Sequence, residues 1–123
     1  LTDVEGLSHA FERGFIVYSD AAKAGMLGID RQLIRAEGAV SRAVALAMAN
    51  GALAHGAADV VLAVTGFAGP AGPDDEHGLV HFGCARRGRE PVHREEHFGD
   101  RGRGAVRLGA VRVALEMMSE ALD

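Results

Sequence analysis

The sequence DVVLAVTGFAGPAGPDDEHG, residues 59–78, decides the fold that we predict for this chain. Its first part, residues 59–65, is almost entirely apolar, which predicts a strand in the middle of a sheet that is covered on both faces. The strand runs into a long loop rich in glycine and proline, and such loops are usually functional or mobile. Because α/β sheets bind ligands at the carboxyl ends of their strands, the stretch predicts an α/β protein with a ligand site after residue 65.

The residues before this strand have helical spacing. Apolar residues recur every three or four positions between Ser41, a residue type that caps helices, and Gly56. Two shorter stretches also end at a glycine, which is a common stop signal, and the first of them follows a capping residue, Ser19 or Asp20. The predicted helices are a short one between Ser19 and Gly28, one over 31–37 ending at Gly38, and one over 41–55.

Further strands are predicted on either side of the central one. The apolar run GFIVYS predicts a strand over 13–18, and the residues after the loop predict a hairpin with strands near 79–85 and 91–98. The last twenty or so residues carry a helical apolar stripe from Val106 to Leu122. Together these elements predict a three-layer α/β/α sandwich with a mixed sheet. Four strands make a thin sheet, so we expect an N-terminal strand and helix to be missing before Leu1.

The composition predicts one folded domain over residues 1–123, with 48% hydrophobic and 24% charged residues. A formal net charge of -4 argues against capture of nucleic acid. No apolar run approaches the ~20 residues of a membrane span, and a single cysteine, Cys84, excludes an internal disulfide. We expect a cytoplasmic protein that has neither nucleic acid nor a membrane as partner.

Lys23 is the first candidate for catalysis. It is the only lysine among 13 basic residues, and it lies shortly after the predicted strand 13–18. An amine that is desolvated there can act as a base, which an arginine cannot do; the alternative is a solvated lysine on a helix surface. Tyr18, the only tyrosine, can orient the lysine or a ligand, or simply lie at the rim of the core.

Thr65 and the glycines that follow it are the second candidate. A hydroxyl at the end of a buried strand, followed by Gly66 and Gly69, lies where backbone N–H groups can approach an oxyanion or a phosphate. The spacing matches neither the Walker loop nor the dinucleotide-binding fingerprint. The alternative interpretation is a flexible surface turn.

Arginines at the start of the last helix are the third candidate. The segment FGDRGRG, residues 98–104, places Arg101 and Arg103 there, with Arg107 one turn further on. Arginine side chains at a helix N-terminus suit a phosphate or a carboxylate. Solvated charge at a helix end explains the pattern equally well.

We expect no metal ion, although His77, His81, His93 and His97 fall on the predicted hairpin and its approach. Two histidines from each strand could converge in principle, but none of the established metal-binding spacings is present. Cys84 is interpreted as a packed strand residue, because no basic environment can be assigned to it.

Four segments together resemble one known family, in the right order and with nearly the right spacing. They are FERGFIVYSDAAKAGMLGI (11–29), EGAVSRAVALAMANGAL (37–53), ADVVLAVTGFAGPAG (58–72) and FGDRGRGAVRLGAVRVALEMM (98–118). The chain resembles the CinA C-terminal domain family, the nicotinamide-nucleotide amidohydrolases, from about Leu1 to Leu122.

The resemblance implies hydrolysis of the carboxamide of nicotinamide mononucleotide to nicotinate mononucleotide and ammonia, with no metal or cofactor. Members use a serine nucleophile and a lysine base in a three-layer α/β fold, and the resemblance also leads us to expect a homo-oligomer. Lys23 falls on the family's lysine, Tyr18 on the neighbouring tyrosine and Thr65 on the hydroxyl residue before the glycine loop. Arg101 falls on the arginine of the family's GDR element.

The sequence departs from the family pattern in two places. The family's nucleophilic serine lies in an ESCTGG-like element that would precede Leu1, so no serine of this chain can be assigned that role. The loop PDDEHGLV, residues 73–80, replaces a longer glycine-rich stretch and a Lys-Pro-Val-Gly segment. Two hypotheses therefore remain: an amidohydrolase whose serine is not in this chain, and a catalytically inactive nucleotide-binding or regulatory module of the same fold.

Overall fold

The structure is a computed structural model that describes all residues, 1–123. After a short 3-10 helix at Ser8–Ala10, the elements in chain order are α1 (Asp20–Leu27), α2 (Arg31–Glu37), α3 (Arg42–Ala54), β1 (Val60–Gly66), β2 (Leu79–Arg86), β3 (Val92–His97) and α4 (Arg103–Leu122). The predicted helices and the hairpin are confirmed to within one or two residues. Local capping explains the helix starts, since the side chains of Ser19, Asp30 and Ser41 accept hydrogen bonds from the backbone of α1, α2 and α3.

The sheet has three antiparallel strands in the order β1-β2-β3. Helix α3 packs on one face and α4 on the other, so the predicted three-layer α/β/α architecture is confirmed. The position of β1 differs from the prediction, because β2 is the central strand and β1 lies at the edge. The two helices cover β1 only in part, because Ala63 and Thr65 are buried whereas Val64 is 41% exposed. An apolar run indicates contact with other layers and does not indicate how many strands pair with it.

The strand predicted over 13–18 does not form, and the sheet is therefore antiparallel rather than mixed. Residues 13–18 are extended, with Val17 buried and Ile16 and Tyr18 each 92% exposed. This alternation is the one that a strand would have, but a strand also needs a backbone partner. None of these residues makes a backbone–backbone hydrogen bond, and the carbonyls of Val17 and Tyr18 instead accept from the side chain of Lys23.

Two apolar clusters fill the spaces between the layers. The first lies between α3, the shorter helices and the sheet, and the second lies between the sheet and α4. At Gly83, in the middle of β2, any Cβ would collide with the backbone carbonyl of Ala45 in α3. The absence of a side chain there lets α3 pack closely on the central strand. Thr65 and His81 lie on the same face of the sheet as this contact.

Candidate active site

Lys23 is buried, with 5% of its surface exposed, in the first turns of α1. Its Nζ donates to the carbonyl oxygens of Val17 at 3.0 Å and Tyr18 at 3.3 Å. Lys23 takes part in none of the ion pairs of the chain, whose members are arginines, histidines and carboxylates. The lysine is thus desolvated and held by neutral oxygens, which is the environment that the base hypothesis requires.

Tyr18 contacts Lys23 through its backbone carbonyl and not through its phenol. The phenol makes no hydrogen bond and is directed away from the core, since the residue is 92% exposed. The predicted roles of the phenol, orienting the lysine or a ligand, stay predictions. In this arrangement only a ligand on the open side of residues 13–18 could reach it.

Thr65 lies at the end of β1 and is 8% exposed. Its Oγ1 donates to the carbonyl of Ala39 at 2.8 Å, which ties the turn before α3 to the end of the sheet. Because the hydroxyl proton is used in that bond, Thr65 can offer a ligand only a lone pair. The next residue, Gly66, is needed for packing, since a Cβ there would lie 2.7 Å from Val80 Cγ2.

The glycine loop is fastened to the segment that precedes α4. Gly78 N–H donates to the carbonyl of Phe67 at 2.9 Å, and Phe98 N–H donates to the carbonyl of Gly78 at the same distance. His77 Nε2 accepts from Ala71 N–H at 3.4 Å while its Nδ1 faces Asp100 Oδ1 at 3.6 Å. These bonds bring the loop after Thr65 together with the arginine segment, two candidates that the sequence analysis treats separately.

The arginine that reaches the loop is Arg103, since a Cβ on Gly69 would lie 2.8 Å from its Nη1. The backbone N–H groups of Ala68 and Gly69 donate to no other backbone group. Free amides beside a guanidinium form a surface that can bind an anion. Arg101 and Arg107 are both exposed and neither side chain makes a hydrogen bond or an ion pair within the chain.

An acidic cavity of about 470 Å³ lies between the turn before α3 and the glycine loop. Carboxylates from two separate segments, Glu37 and the run Asp74–Glu76, contribute to its lining. Sequence reasoning missed this feature, although the acidic run was visible, because Glu37 comes from a different element. The lining disfavours a phosphate inside the cavity itself.

The hairpin histidines form a pair rather than the predicted possible cluster of four. His81 Nδ1 and His93 Nε2 are 2.9 Å apart and the two rings are stacked. Burial lowers the pKa of both imidazoles, and the neighbouring Arg42 lowers that of His93 further. His97 instead hydrogen-bonds Glu76 at 2.5 Å, which raises its pKa. No group of three or more potential ligands is placed to hold a metal ion.

Cys84 is packed in the second cluster with 4% of its surface exposed, and burial raises the pKa of its thiol. A buried thiol with a raised pKa is a poor nucleophile, so the interpretation as a packing residue is confirmed. None of the four helices combines the length and the apolar character that crossing a bilayer requires.

The sequence profile of the CinA C-terminal domain matches residues 1–122. The chain belongs to the CinA C-terminal domain family. The fold agrees, because a solved structure of the competence/damage inducible protein CihA from Agrobacterium tumefaciens superposes with a TM-score of 0.95 at 42% identity. That likeness covers 99% of this chain and 75% of the other.

Two relatives in the CinA C-terminal domain family bear different names. The nicotinamide-nucleotide amidohydrolase PncC of Escherichia coli is 42% identical over 121 residues, which is 96% of this chain and 72% of that protein. A putative competence-damage inducible protein of Symbiobacterium thermophilum is 49% identical over 92 residues, or 73% of this chain. The chain spans 22% of the length of the latter protein.

Proposed function

We propose that this chain carries the base and the nucleotide-binding residues of an amidohydrolase that converts nicotinamide mononucleotide to nicotinate mononucleotide and ammonia. The likeness to a nicotinamide-nucleotide amidohydrolase supports the reaction class, at 42% identity over 121 residues. The observation that carries the proposal is the buried Nζ of Lys23, which is held by two carbonyls and faces no carboxylate.

Lys23 acts as the general base in this reaction. A neutral amine has two N–H groups, which suffice for the carbonyls of Val17 and Tyr18, and its lone pair stays free for a proton. It takes that proton from a serine hydroxyl as the serine oxygen attacks the carboxamide carbon. The proton then passes to the leaving nitrogen, which departs as ammonia, and water hydrolyses the resulting ester.

The serine in this scheme belongs to the ESCTGG-like element that the family resemblance implies. The serines nearest to the candidate site serve other roles, since Ser19 caps α1 and Ser41 caps α3. Thr65 offers a lone pair to the carboxamide N–H and does not attack. Its hydroxyl proton is already donated to Ala39.

The phosphate of the nucleotide binds at the glycine loop and the start of α4. The free amides of Ala68 and Gly69 and the guanidinium of Arg103 meet there, and the exposed Arg101 and Arg107 add positive charge. The acidic cavity beside Glu37 repels the phosphate. Its charge therefore orients the nucleotide with the phosphate towards the arginines.

The test is ammonia release from nicotinamide mononucleotide by a longer chain that includes the serine-bearing element. Lys23→Arg replaces the amine with a guanidinium that stays protonated and cannot accept a proton, so turnover should fall by at least the ~10²–10⁴ typical of acid–base groups. Arg35→Lys, at an exposed position of α2, is the control and should leave turnover unchanged. Near-normal turnover by the Lys23→Arg variant would exclude the base role.

A second candidate function is that of an inactive nucleotide-binding or regulatory module. The loop 73–80 favours it, because this loop departs from the glycine-rich stretch and the Lys-Pro-Val-Gly segment that the family usually has. Titration calorimetry separates the two functions when it is paired with the ammonia assay. A longer chain that binds the nucleotide tightly and releases no ammonia is a binding module.

A further inference from the structure

His97, at the end of β3, links the glycine loop to the sheet. Its Nδ1 lies 2.5 Å from Glu76 Oε2 in the loop, and its Nε2 lies 3.3 Å from Glu95 Oε2 in β3. The sequence pointed to this histidine only as a possible metal ligand. The structure instead places one carboxylate at each nitrogen of the ring.

Two carboxylates around one imidazole require the charged form of the ring. Only imidazolium has an N–H on both nitrogens, whereas a neutral imidazole would turn a lone pair towards one of the carboxylates. The hydrogen bond and charge of Glu76, followed by the charge of Glu95, raise the pKa of His97 above the ordinary 6.5. The charged link to the loop is therefore complete below pH 6.5 and is lost as the pH rises through the raised value.

The backbone brings Glu76 and His97 together. Leu79 is paired with His97 at the end of the β2–β3 ladder, and Leu79 N–H donates to the carbonyl of Glu76 at 3.3 Å. This turn returns Glu76 towards the end of the strand. At Gly78, whose φ is +80°, a Cβ would collide with the backbone of Gly99. The loop and the segment after β3 are thus in close contact around the histidine.

The part of the loop that His97 contacts is tied to the part that carries the free amides. We call residues 67–72 the first arm of the loop and residues 76–78 the second arm. Ala71 N–H in the first arm donates to His77 Nε2 in the second at 3.4 Å. The first arm also carries the two free amides of the proposed phosphate site. A change in the hold on the second arm therefore reaches these amides.

We propose that His97 is a positioning residue for the phosphate site, a role that rests on the proposed nucleotide-binding function. As an imidazolium it holds the second arm against β3 and keeps the free amides in place. When it loses its proton, the second arm loosens and the nucleotide binds less tightly. The side chains of His97 and Glu76 are 57% and 51% exposed, so the effect on affinity is limited to about five-fold.

Other titrating groups near the loop have their own pH dependence. Besides its two carboxylates, His97 faces His81 of β2, whose pKa its charge lowers. Protonation of His77 removes the lone pair that accepts from Ala71 N–H, and Asp100 faces the other nitrogen of that ring at 3.6 Å. The phosphate of the ligand also gains charge above about pH 6. These groups are common to the native chain and to variants at position 97, so a comparison at equal pH isolates His97.

Amide hydrogen exchange at Ala71 and Gly78 measures the hold on the loop in the chain itself. His97→Gln carries no charge, whereas His97→Arg keeps a charge and donors for both carboxylates at every pH of the experiment. At pH 6 both amides should exchange up to about five-fold faster in the His97→Gln chain than in the native chain. At pH 8.5 the native chain should match His97→Gln, and His97→Arg should exchange more slowly than both.

The control is His9→Gln, because His9 is an exposed histidine whose ring hydrogen-bonds only the nearby carbonyl of Gly6. This variant should exchange like the native chain at both pH values. Any acceleration that it shares with His97→Gln would be a general effect of losing a histidine.

Calorimetry with nicotinamide mononucleotide tests the effect on binding, in the longer chain that includes the serine-bearing element. At pH 6 the His97→Gln variant should bind up to about five-fold more weakly than the native chain, and at pH 8.5 the ratio should approach one. His97→Arg should bind more tightly than the native chain at pH 8.5, by a similar factor.

Three outcomes would overturn the proposal. Equal amide exchange in the native and His97→Gln chains at pH 6 would show that His97 does not hold the loop. A difference in exchange with no difference in nucleotide affinity would exclude the positioning role. If the native longer chain binds no nicotinamide mononucleotide, the proposed function fails and the positioning role with it, whereas the exchange result still decides whether His97 holds the loop.

Discussion

Arg101 is the side chain for which the structure gives the cleanest test of nucleotide recognition. It is exposed and makes no hydrogen bond or ion pair within the chain, so its removal should leave the fold intact. Arg101→Ala should weaken binding of nicotinamide mononucleotide by roughly 10- to 100-fold, which corresponds to the loss of one hydrogen bond to a charged group. Binding of free nicotinamide should change little, and calorimetry with both ligands measures the difference.

Arg89→Ala is the control for this prediction, because Arg89 is also an exposed arginine but lies in the hairpin turn. It should leave the binding of both ligands unchanged. An equal loss for nicotinamide and its nucleotide in the Arg101→Ala variant would count against phosphate recognition by this residue.

The paired histidines predict an acid-sensitive contact between α3 and the hairpin. His81 and His93 have pKa values below the ordinary 6.5, so the unfolded chain binds their protons more readily than the folded one. Their contribution to the free energy of unfolding is complete above pH 6.5 and is lost as the pH falls through the lowered values. Arg42, Glu95 and His97 face the pair, and of these Glu95 acts in the opposite direction.

His93→Gln tests this linkage, because glutamine keeps a hydrogen-bonding group and binds no proton. Between pH 7 and pH 5 the variant should lose less free energy of unfolding than the native chain, by about 1.4 kcal/mol for each unit by which the pKa is lowered. His97 has a raised pKa, so its contribution to the free energy of unfolding changes with pH in the opposite direction. Because the variant and the native chain both contain His97, this contribution does not affect the comparison. Parallel curves from urea unfolding would refute the assignment.

The contact between α3 and β2 depends on Gly83. Gly83→Ala should lower the free energy of unfolding by about 1–3 kcal/mol, the usual cost of overpacking, because the new Cβ meets the carbonyl of Ala45. Gly25→Ala in α1 is the control, since nothing lies within 4 Å of a Cβ there. That substitution should be neutral or should stabilise by up to about 1 kcal/mol. Equal effects of the two substitutions on urea unfolding would show that α3 can move away from the sheet.

Between the glycine loop and α4 the important links are backbone hydrogen bonds through Gly78 and Phe98. They tie the end of the loop to the segment that leads into Arg103, and Arg103 in turn lies against Gly69. Two candidate groups that are more than thirty residues apart in sequence thereby lie side by side, which is the arrangement that the proposed phosphate site requires. The acidic loop residues remain on the other side, next to Glu37.

For the chain as a whole, we predict that residues 1–123 alone release no ammonia from nicotinamide mononucleotide. Lys23 removes a proton only from a hydroxyl within hydrogen-bond reach, and both of its hydrogen bonds go to carbonyls. The longer chain with the serine-bearing element should be active under the same conditions. Robust ammonia release by the purified 123-residue chain would move Ser19 or Thr65 into the role of nucleophile.

The helices and the hairpin were predictable because their signals are local. A cap such as Ser41, a stop such as Gly28 and an apolar period act over a few residues, and the structure forms these elements within one or two residues of the expected bounds. The candidate residues Lys23, Thr65 and Arg101 were also visible in the sequence. Their residue types limit the chemistry, and that they belong to one site is what the family resemblance implies.

Pairing and proximity were decided only in the tertiary structure. Residues 13–18 have the alternation of a strand, yet no backbone partner lies beside them, because partners in a sheet come from distant parts of the chain. The same reason explains β1 at the edge, the stacked pair of His81 and His93, and Arg103 over Gly69. Sequence patterns report the local environment of each residue, whereas these contacts follow from the packing of α3 and α4 on opposite faces of one sheet.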